Sequence, residues 1–299
     1  MSRSRILVLG SSNTDLTVRV PALPKAGESV VGHSLNVGQG GKGANQAVAA
    51  ARLGGSVTLI TKVGRDSFGD MAVRSYESEG LDTSCILCSG RPTGVAVIAV
   101  DDVGENCIMT SPGANQDYTA DDINVIADKI SEAGILLIQL EIPVPIVLEA
   151  ARLAHMAGAL VVLNSAPYTP VPDELFGYID LFIPNQVELS DFSGIQVRDE
   201  ETAKEAITVM IAKGVAKCIV TLGDKGSLIY DGAEFLHVPA RKVKAVDTTA
   251  AGDTFCGALC VALAEGLSLY DATLFATRAA AISVTRIGAQ SSIPYRKEM

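Results

Sequence analysis

The chain has 299 residues, 48% of them apolar, enough to bury one large core in an undivided α/β unit. Its 24 basic and 34 acidic residues leave a formal charge of −10, so phosphate backbones are repelled overall and nucleic acid is argued against as a partner. Behind a basic flank, the apolar run 6–9 is too short for a signal-peptide core. No stretch approaches the roughly 18 apolar residues of a membrane span, which predicts a cytoplasmic protein without a membrane partner.

In chain order, continuous apolar segments at 6–9, 57–61, 135–139, 160–163, 181–183 and 218–221 predict strands covered on both faces. Residues 44–53, 67–79, 120–130, 145–156 and 200–213 predict the intervening helices, with two more at 250–265 and 268–284. Such alternation predicts an α/β fold: a doubly wound, mainly parallel sheet with helices on both faces, in a single domain spanning 1–299. Residues 16–37 and 93–110 carry strand-like sequence without a long helix, the second around the turn-like Asp101-Asp102-Val103-Gly104-Glu105-Asn106. They predict a small β-strand lid over the carboxyl ends of the parallel strands, where open α/β sheets bind ligands. The six cysteines, Cys85, Cys88, Cys107, Cys218, Cys256 and Cys260, are too scattered for a disulfide framework and are read as buried small apolar residues. Cys85 and Cys88 have metal-ligand spacing, but no second pair or histidine stands near them.

The segment Val246-Asp247-Thr248-Thr249-Ala250-Ala251-Gly252-Asp253-Thr254 places small residues and a carboxylate at the start of an apolar helix. Free amides and the helix dipole there suit an anion, and Asp253 is placed to take a hydroxyl proton as phosphate arrives. Taken alone, Asp253 more often only favours the helix N-terminus, and Gly252 only permits a tight turn.

Gly38-Gln39-Gly40-Gly41-Lys42-Gly43-Ala44-Asn45-Gln46 opens the helix 44–53 and formally matches the dinucleotide pattern G-x-G-x-x-G. Its preceding strand belongs to the predicted lid, which counts against a nicotinamide-dependent oxidoreductase. Lys42 is followed by Gly43 rather than Ser or Thr, so it is not a P-loop either. Lys42 and Asn45 instead offer donors to a polyhydroxylated ligand. Asn13-Thr14-Asp15 follows the first strand, where a carboxylate can accept from two neighbouring hydroxyls, or where a solvated turn can simply form. Asn185-Gln186-Val187-Glu188 reads either as a helix cap or as the place where Glu188 organises water around magnesium. Thr221-Leu222-Gly223-Asp224-Lys225-Gly226 reads either as a hairpin turn or as a loop that lets backbone approach a nucleotide.

Together and in this order, these segments resemble the ribokinase-like sugar kinases, also called the phosphofructokinase B family, over nearly the whole chain. The run Gly40–Gly54 is similar to the ribose-phosphorylating members in particular. The resemblance implies transfer of the ATP γ-phosphoryl group to the 5-hydroxyl of D-ribose, with Asp253 as base and Gly252 and Ala251 in the anion hole. It implies that Asn13, Thr14, Asp15, Gly41, Lys42, Gly43, Ala44, Asn45 and Glu141 hold the pentose. Asn185, Thr221, Leu222, Gly223, Asp224, Lys225, Gly226 and Thr277 would contact ATP. Thr277 stands where relatives often carry a larger polar residue. Magnesium is implied at Glu188 through water, and potassium at Asp247, Thr249, Ser283, Arg286, Gly288 and Ser292. A homodimer through the lid is implied as well. Another small-sugar kinase of the family, such as a 2-deoxyribose kinase, and a non-catalytic sugar-binding regulator are the competing readings.

Overall fold

Residues 5–299 are described by a computed structural model, so the basic flank ahead of Arg5 lies outside the described residues. The chain begins with β1 (Arg5–Leu9), β2 (Asn13–Arg19), β3 (Ser34–Gly40) and helix α1 (Lys42–Arg52). β4 (Ser56–Ile60) and the short β5 (Lys62–Gly64) precede α2 (Ser67–Ser78), and β6 (Leu87–Ser89), β7 (Gly94–Val100) and β8 (Asn106–Ser111) follow it. Next come α3 (Ala120–Ser131), β9 (Ile135–Ile138), α4 (Val144–Met156), β10 (Leu160–Asn164), β11 (Leu181–Ile183), α5 (Gln186–Ser193), α6 (Glu200–Ala212) and β12 (Lys217–Thr221). The hairpin strands β13 (Ser227–Tyr230) and β14 (Phe235–Val238) lead to α7 (Ala251–Ala264) and α8 (Leu269–Ser283).

Aliphatic runs without polar alternation need cover on both faces, and they receive it. The main sheet is eight-stranded, in the order β14-β13-β12-β11-β10-β9-β1-β4. It is parallel from β12 to β4, with β13 and β14 antiparallel at one edge. One face packs on α3, α4, α5 and α6 through residues such as Leu136, Ile138, Phe176 and Phe182. The opposite face packs on α1, α2, α7 and α8 through Ile6, Val8, Leu137 and Leu259. The doubly wound architecture expected from the sequence is the one observed, with element ends displaced by a residue or two. Among the described residues no helix is long and apolar enough to cross a membrane.

Segments that cannot join the main sheet build a second sheet in the order β3-β2-β7-β8. β2 pairs antiparallel with β3 and parallel with β7. It begins at Asn13, earlier than the predicted lid boundary, so Asn13–Asp15 lie on the small sheet itself rather than in a turn. Residues 20–33 join β2 to β3 without regular structure. The pair β5–β6 and the hairpin β13–β14 were not legible in the sequence, being short strands defined by their partners. Of the cysteines expected to be buried, Cys88 and Cys107 are exposed and Cys85 is half-buried: among the described residues β6 has only β5 as a neighbour, and β8, which carries Cys107, is an edge strand. At the C-terminus, Arg52 stacks on the Tyr295 ring, and Arg296 reaches Glu265, fastening the last residues to α1 and α7.

Candidate active site

The chain leaves β1 toward β4 on one side and later reaches β9 on the other, so the sheet order reverses at β1. A crevice opens outside the carboxyl ends of strands at such a point. Gly10, just past β1, and Gly43, in the first turn of α1, face each other there. A Cβ on Gly43 would lie 2.6 Å from the Gly10 Cα, so only glycine lets the helix start touch the strand end. Gly41 caps α1 at φ 89° with no side chain to accept from the first amides. Glu141 and Ser11 supply that role. Lys42 N donates to Glu141 Oε2 at 3.0 Å, Ala44 N donates to the Ser11 carbonyl at 2.9 Å, and Ser11 Oγ donates to Glu141 Oε2. Gly43→Ala is expected to cost about 1–3 kcal/mol through overpacking. Denaturant titration measures it.

Asp253 sits in the first turn of α7 and is 7% exposed. The turn is entered through Ala250 at φ 58°, the one non-glycine residue with positive φ among the described residues. A left-handed alanine costs on the order of 1–2 kcal/mol, and such strain collects at functional turns. Thr254 N donates to the Ala250 carbonyl at 2.8 Å, and Ala251 N donates to that of Thr248 at 3.2 Å. Ala251 therefore does not offer the free amide expected of it. Gly252 N and Asp253 N have no acceptor among the described residues, and a Cβ at Gly252 would meet only open space. These two amides face a cavity of about 230 Å³ lined by Lys42, Asn164, Asn185, Glu188, Thr221 and Cys256.

Asn45 Nδ2 donates to Asp253 Oδ2 and Gln46 Nε2 to Oδ1, each at 2.9 Å. Burial pushes the Asp253 carboxyl above its usual range, while Lys42 and these two amides pull it back. Burial lowers the Lys42 ammonium, but Asp253, Glu141 and Glu188 outweigh it and hold Lys42 charged. Lys42 makes no ion pair with any described residue, so its charge is available to the cavity. Asp15 is pushed up to about 6, first by burial and then by the charges of Glu141 and Asp253. It lines a larger cavity of about 780 Å³ beneath the small sheet, and a Cβ on Gly40 would collide with its carboxylate.

The remaining expected residues divide by position. Thr14 is fully buried, because neighbouring residues of a strand point to opposite faces, and it lines neither cavity. Asn13 accepts from Asn115 Nδ2 at 2.8 Å. Gly43 and Ala44 are buried packing positions at the helix start. Asn185 and Glu188 form a capping box on α5, Glu188 N donating to Asn185 Oδ1 at 2.8 Å and Asn185 N to Glu188 Oε2 at 2.9 Å. Burial nevertheless raises Glu188, with the Asn185 amide and Lys42 opposing, and Glu188 still borders the cavity. Gly223–Lys225 forms the turn of the β12–β13 hairpin, with Gly226 at φ 93° where a Cβ would strike the Val238 carbonyl. Leu222 and Lys225 border a separate hollow with Arg198 and His237, while Asp224 is exposed. Thr277, on α8, keeps a buried hydroxyl without a partner among the described residues.

Asp247 draws two loops together. Its Oδ1 accepts from Thr249 N at 2.9 Å and its Oδ2 from Gly288 N at 2.8 Å. Although burial opposes it, these donors hold the carboxyl below its usual range. Asp247, Thr249 and Gly288 line the larger cavity, whereas Ser283 and Ser292 are fully buried on adjoining turns and Arg286 pairs with Glu298 at 2.6 Å. Sequence reasoning overlooked Ser11, Gln139 and Asn164 and left Gln46 without a role. Their one signal was position, at or just past the carboxyl ends of β1, β9 and β10.

The glycine-rich loop Gly38–Gly43 leaves β3 of the small sheet rather than the first strand of a βαβ unit, which removes the setting that dinucleotide binding requires. A buried acid beside free amides and an unpaired lysine, at the reversal of a doubly wound sheet, is the equipment of a small-molecule kinase. The chain belongs to the pfkB family of carbohydrate kinases, whose pattern matches residues 3–296. It is 42% identical over 297 residues to a ribokinase of Haemophilus influenzae, covering 99% of this chain and 97% of that one. It is 36% identical over 293 residues to a deoxyribokinase of Salmonella typhi, covering 97% and 95%. The structure of Arabidopsis thaliana ribokinase complexed with ribose and ATP superposes with a TM-score of 0.92 at 33% identity, covering 99% of this chain and 97% of that one.

Proposed function

We propose that this carbohydrate kinase phosphorylates D-ribose at the 5-hydroxyl, giving D-ribose 5-phosphate and ADP. The observation that carries the reading is the α7 turn, where Asp253 lies beside the free amides of Gly252 and Asp253 and opposite Lys42. Asp253 takes the hydroxyl proton, the sugar oxygen bonds to the γ-phosphorus, and the bond to the bridging oxygen breaks with its electron pair leaving on ADP. The two amides and Lys42 meet the charge that develops on the transferred group. Asp15 accepts from neighbouring sugar hydroxyls, and Asn45, Gly41 and Glu141 complete the sugar side. Asn185, Thr221, Gly223 and Gly226 border the nucleotide.

Magnesium bound with the nucleotide would offset phosphate charge, and Glu188 is the buried acid placed to hold its water shell. Oxygen donors gathered around Asp247, Thr249 and Gly288 suit a hard monovalent cation such as potassium, which would stiffen the entry to α7. Leu35 and Met109, exposed on the face of the small sheet turned away from Asp15, favour its packing against that of a second copy.

Release of ADP across a sugar panel tests the reading. Ribose is expected to exceed 2-deoxyribose in kcat/KM by roughly tenfold or more, since one hydrogen bond to a charged acceptor is lost, and potassium is expected to exceed sodium as activator. Preference for 2-deoxyribose would select the deoxyribokinase-like reading. Sugar binding with no transfer to any pentose would select a non-catalytic binder.

A further inference from the structure

Behind Asp253 runs a line of buried side-chain amides. Gln46 and Gln139 are fully buried and Asn164 is 8% exposed. Gln46 Nε2 donates both to Asp253 Oδ1 and to Asn164 Oδ1, each at 2.9 Å. Gln46 Oε1 accepts from Gln139 Nε2 at 2.6 Å, and Asn164 Nδ2 donates to the Ile183 carbonyl at 3.0 Å.

The ends of this line dictate the direction of every amide in it. A carbonyl can only accept, so Asn164 must turn its NH₂ to Ile183 and its oxygen to Gln46. Gln46 must then present NH₂ to Asn164 and Asp253, and its oxygen to Gln139. Reversed, Gln46 would press an oxygen against a carboxylate. The arrangement leaves Gln139 Oε1 buried without a partner among the described residues, against Gly10, where any Cβ would collide with it. An unpaired buried oxygen lowers stability, and an apolar side chain would avoid that cost. Orientation of Gln46 is what the glutamine supplies in return.

Accepting Asp253 as the base, we propose that Gln46, held in one orientation by Gln139 and Asn164, is the positioning residue that aims the Asp253 carboxylate at the sugar hydroxyl and keeps it able to accept a proton. Oδ1 is held by Gln46 and Oδ2 by Asn45, which leaves lone pairs on both for the substrate. The charged or titratable groups facing Asp253 are Lys42 on α1, Glu141 after β9, Asp15 on β2, Cys256 on α7 itself, and Glu188 across the cavity.

Gln46→Glu keeps the side-chain size and removes the donor. The acid limb of its kcat/KM profile is expected to rise by about one pH unit or more, because an amide that favours the ionised carboxylate becomes a competing carboxyl. Near pH 7, kcat is expected to fall about tenfold or more while KM for ribose changes by less than about threefold, the signature of lost transition-state stabilisation with ground-state binding kept. Gln139→Leu leaves Gln46 Oε1 without its donor, loosens the hold on Gln46, and is expected to move the limb the same way by less. In the unmodified enzyme with isotope-labelled glutamine, the Gln46 side-chain amide protons are expected to titrate with the midpoint of that limb. This measurement decides the matter if neither variant folds. An unmoved limb in a folded variant, or Gln46 signals that ignore the limb, overturns the proposal, and a lowered melting temperature alone assigns the amides to packing. Asp253→Asn, assayed alongside, separates the two failures, because near-normal turnover in that variant removes the base itself.

Discussion

Asp253→Asn is expected to lower kcat by at least about 10²- to 10⁴-fold, the usual contribution of a positioned base, while ribose still binds. The variant should fold well. Asn45 Oδ1 is buried and has no partner among the described residues, so the Asn45 amide can turn over and accept from the new side chain. Stability should follow the charge. Burial raises the Asp253 carboxyl above its ordinary value of 3.8, so the folded state holds the proton more tightly than the unfolded chain. The stability this group contributes is present below its unfolded value and is lost as pH rises through the folded one. The neutral variant escapes that loss, so its melting temperature is expected to gain on that of the parent as pH rises. A residue serving only the helix N-terminus would give the reverse, with turnover kept and stability reduced.

Asp15→Ala is expected to raise KM for ribose by about 10²-fold, as hydrogen bonds from two hydroxyls to a charged acceptor disappear, with a smaller change in kcat. Isothermal titration of ribose without nucleotide checks it. Because Asp15 is pushed up to about 6, ribose binding to the parent should weaken as pH falls through that value, and this dependence should be absent from the variant. Asp15→Asn adds a thermal readout of the same shift. Stability supplied by Asp15 is full below the unfolded value of 3.8 and is lost as pH rises through about 6, so the variant should be the more stable protein at neutral pH. Its advantage should vanish near pH 4. Binding chemistry and stability pull in opposite directions at this residue.

Much of the fold is local information. Aliphatic runs such as Val57–Ile60 and Ile135–Ile138 carry their two-sided burial in composition alone, and the alanine-rich sequence of α1 and α7 declares helix. The glycines of the α1 entrance and the acid at the start of α7 were also legible, since turns and helix starts constrain residue type within a few positions. Short strands that owe their existence to a distant partner, such as β5 with β6, carry no such signal.

By itself the sequence determined a doubly wound sheet, a small β flap, and an acid beside glycine at a helix start. Which amides that helix start leaves free was decided only in three dimensions, where Ala251 N turned to Thr248 and Gly252 N did not. Strand alternation likewise set Asp15 toward the larger cavity and Thr14 into the buried interior. Above all, the surroundings of Asp253 come from residues remote in the chain, with Asn45 standing 208 positions away. Periodicity and motif spacing report what neighbours along the chain can do, whereas the protonation and aim of a buried carboxylate are set by whatever the fold brings against it.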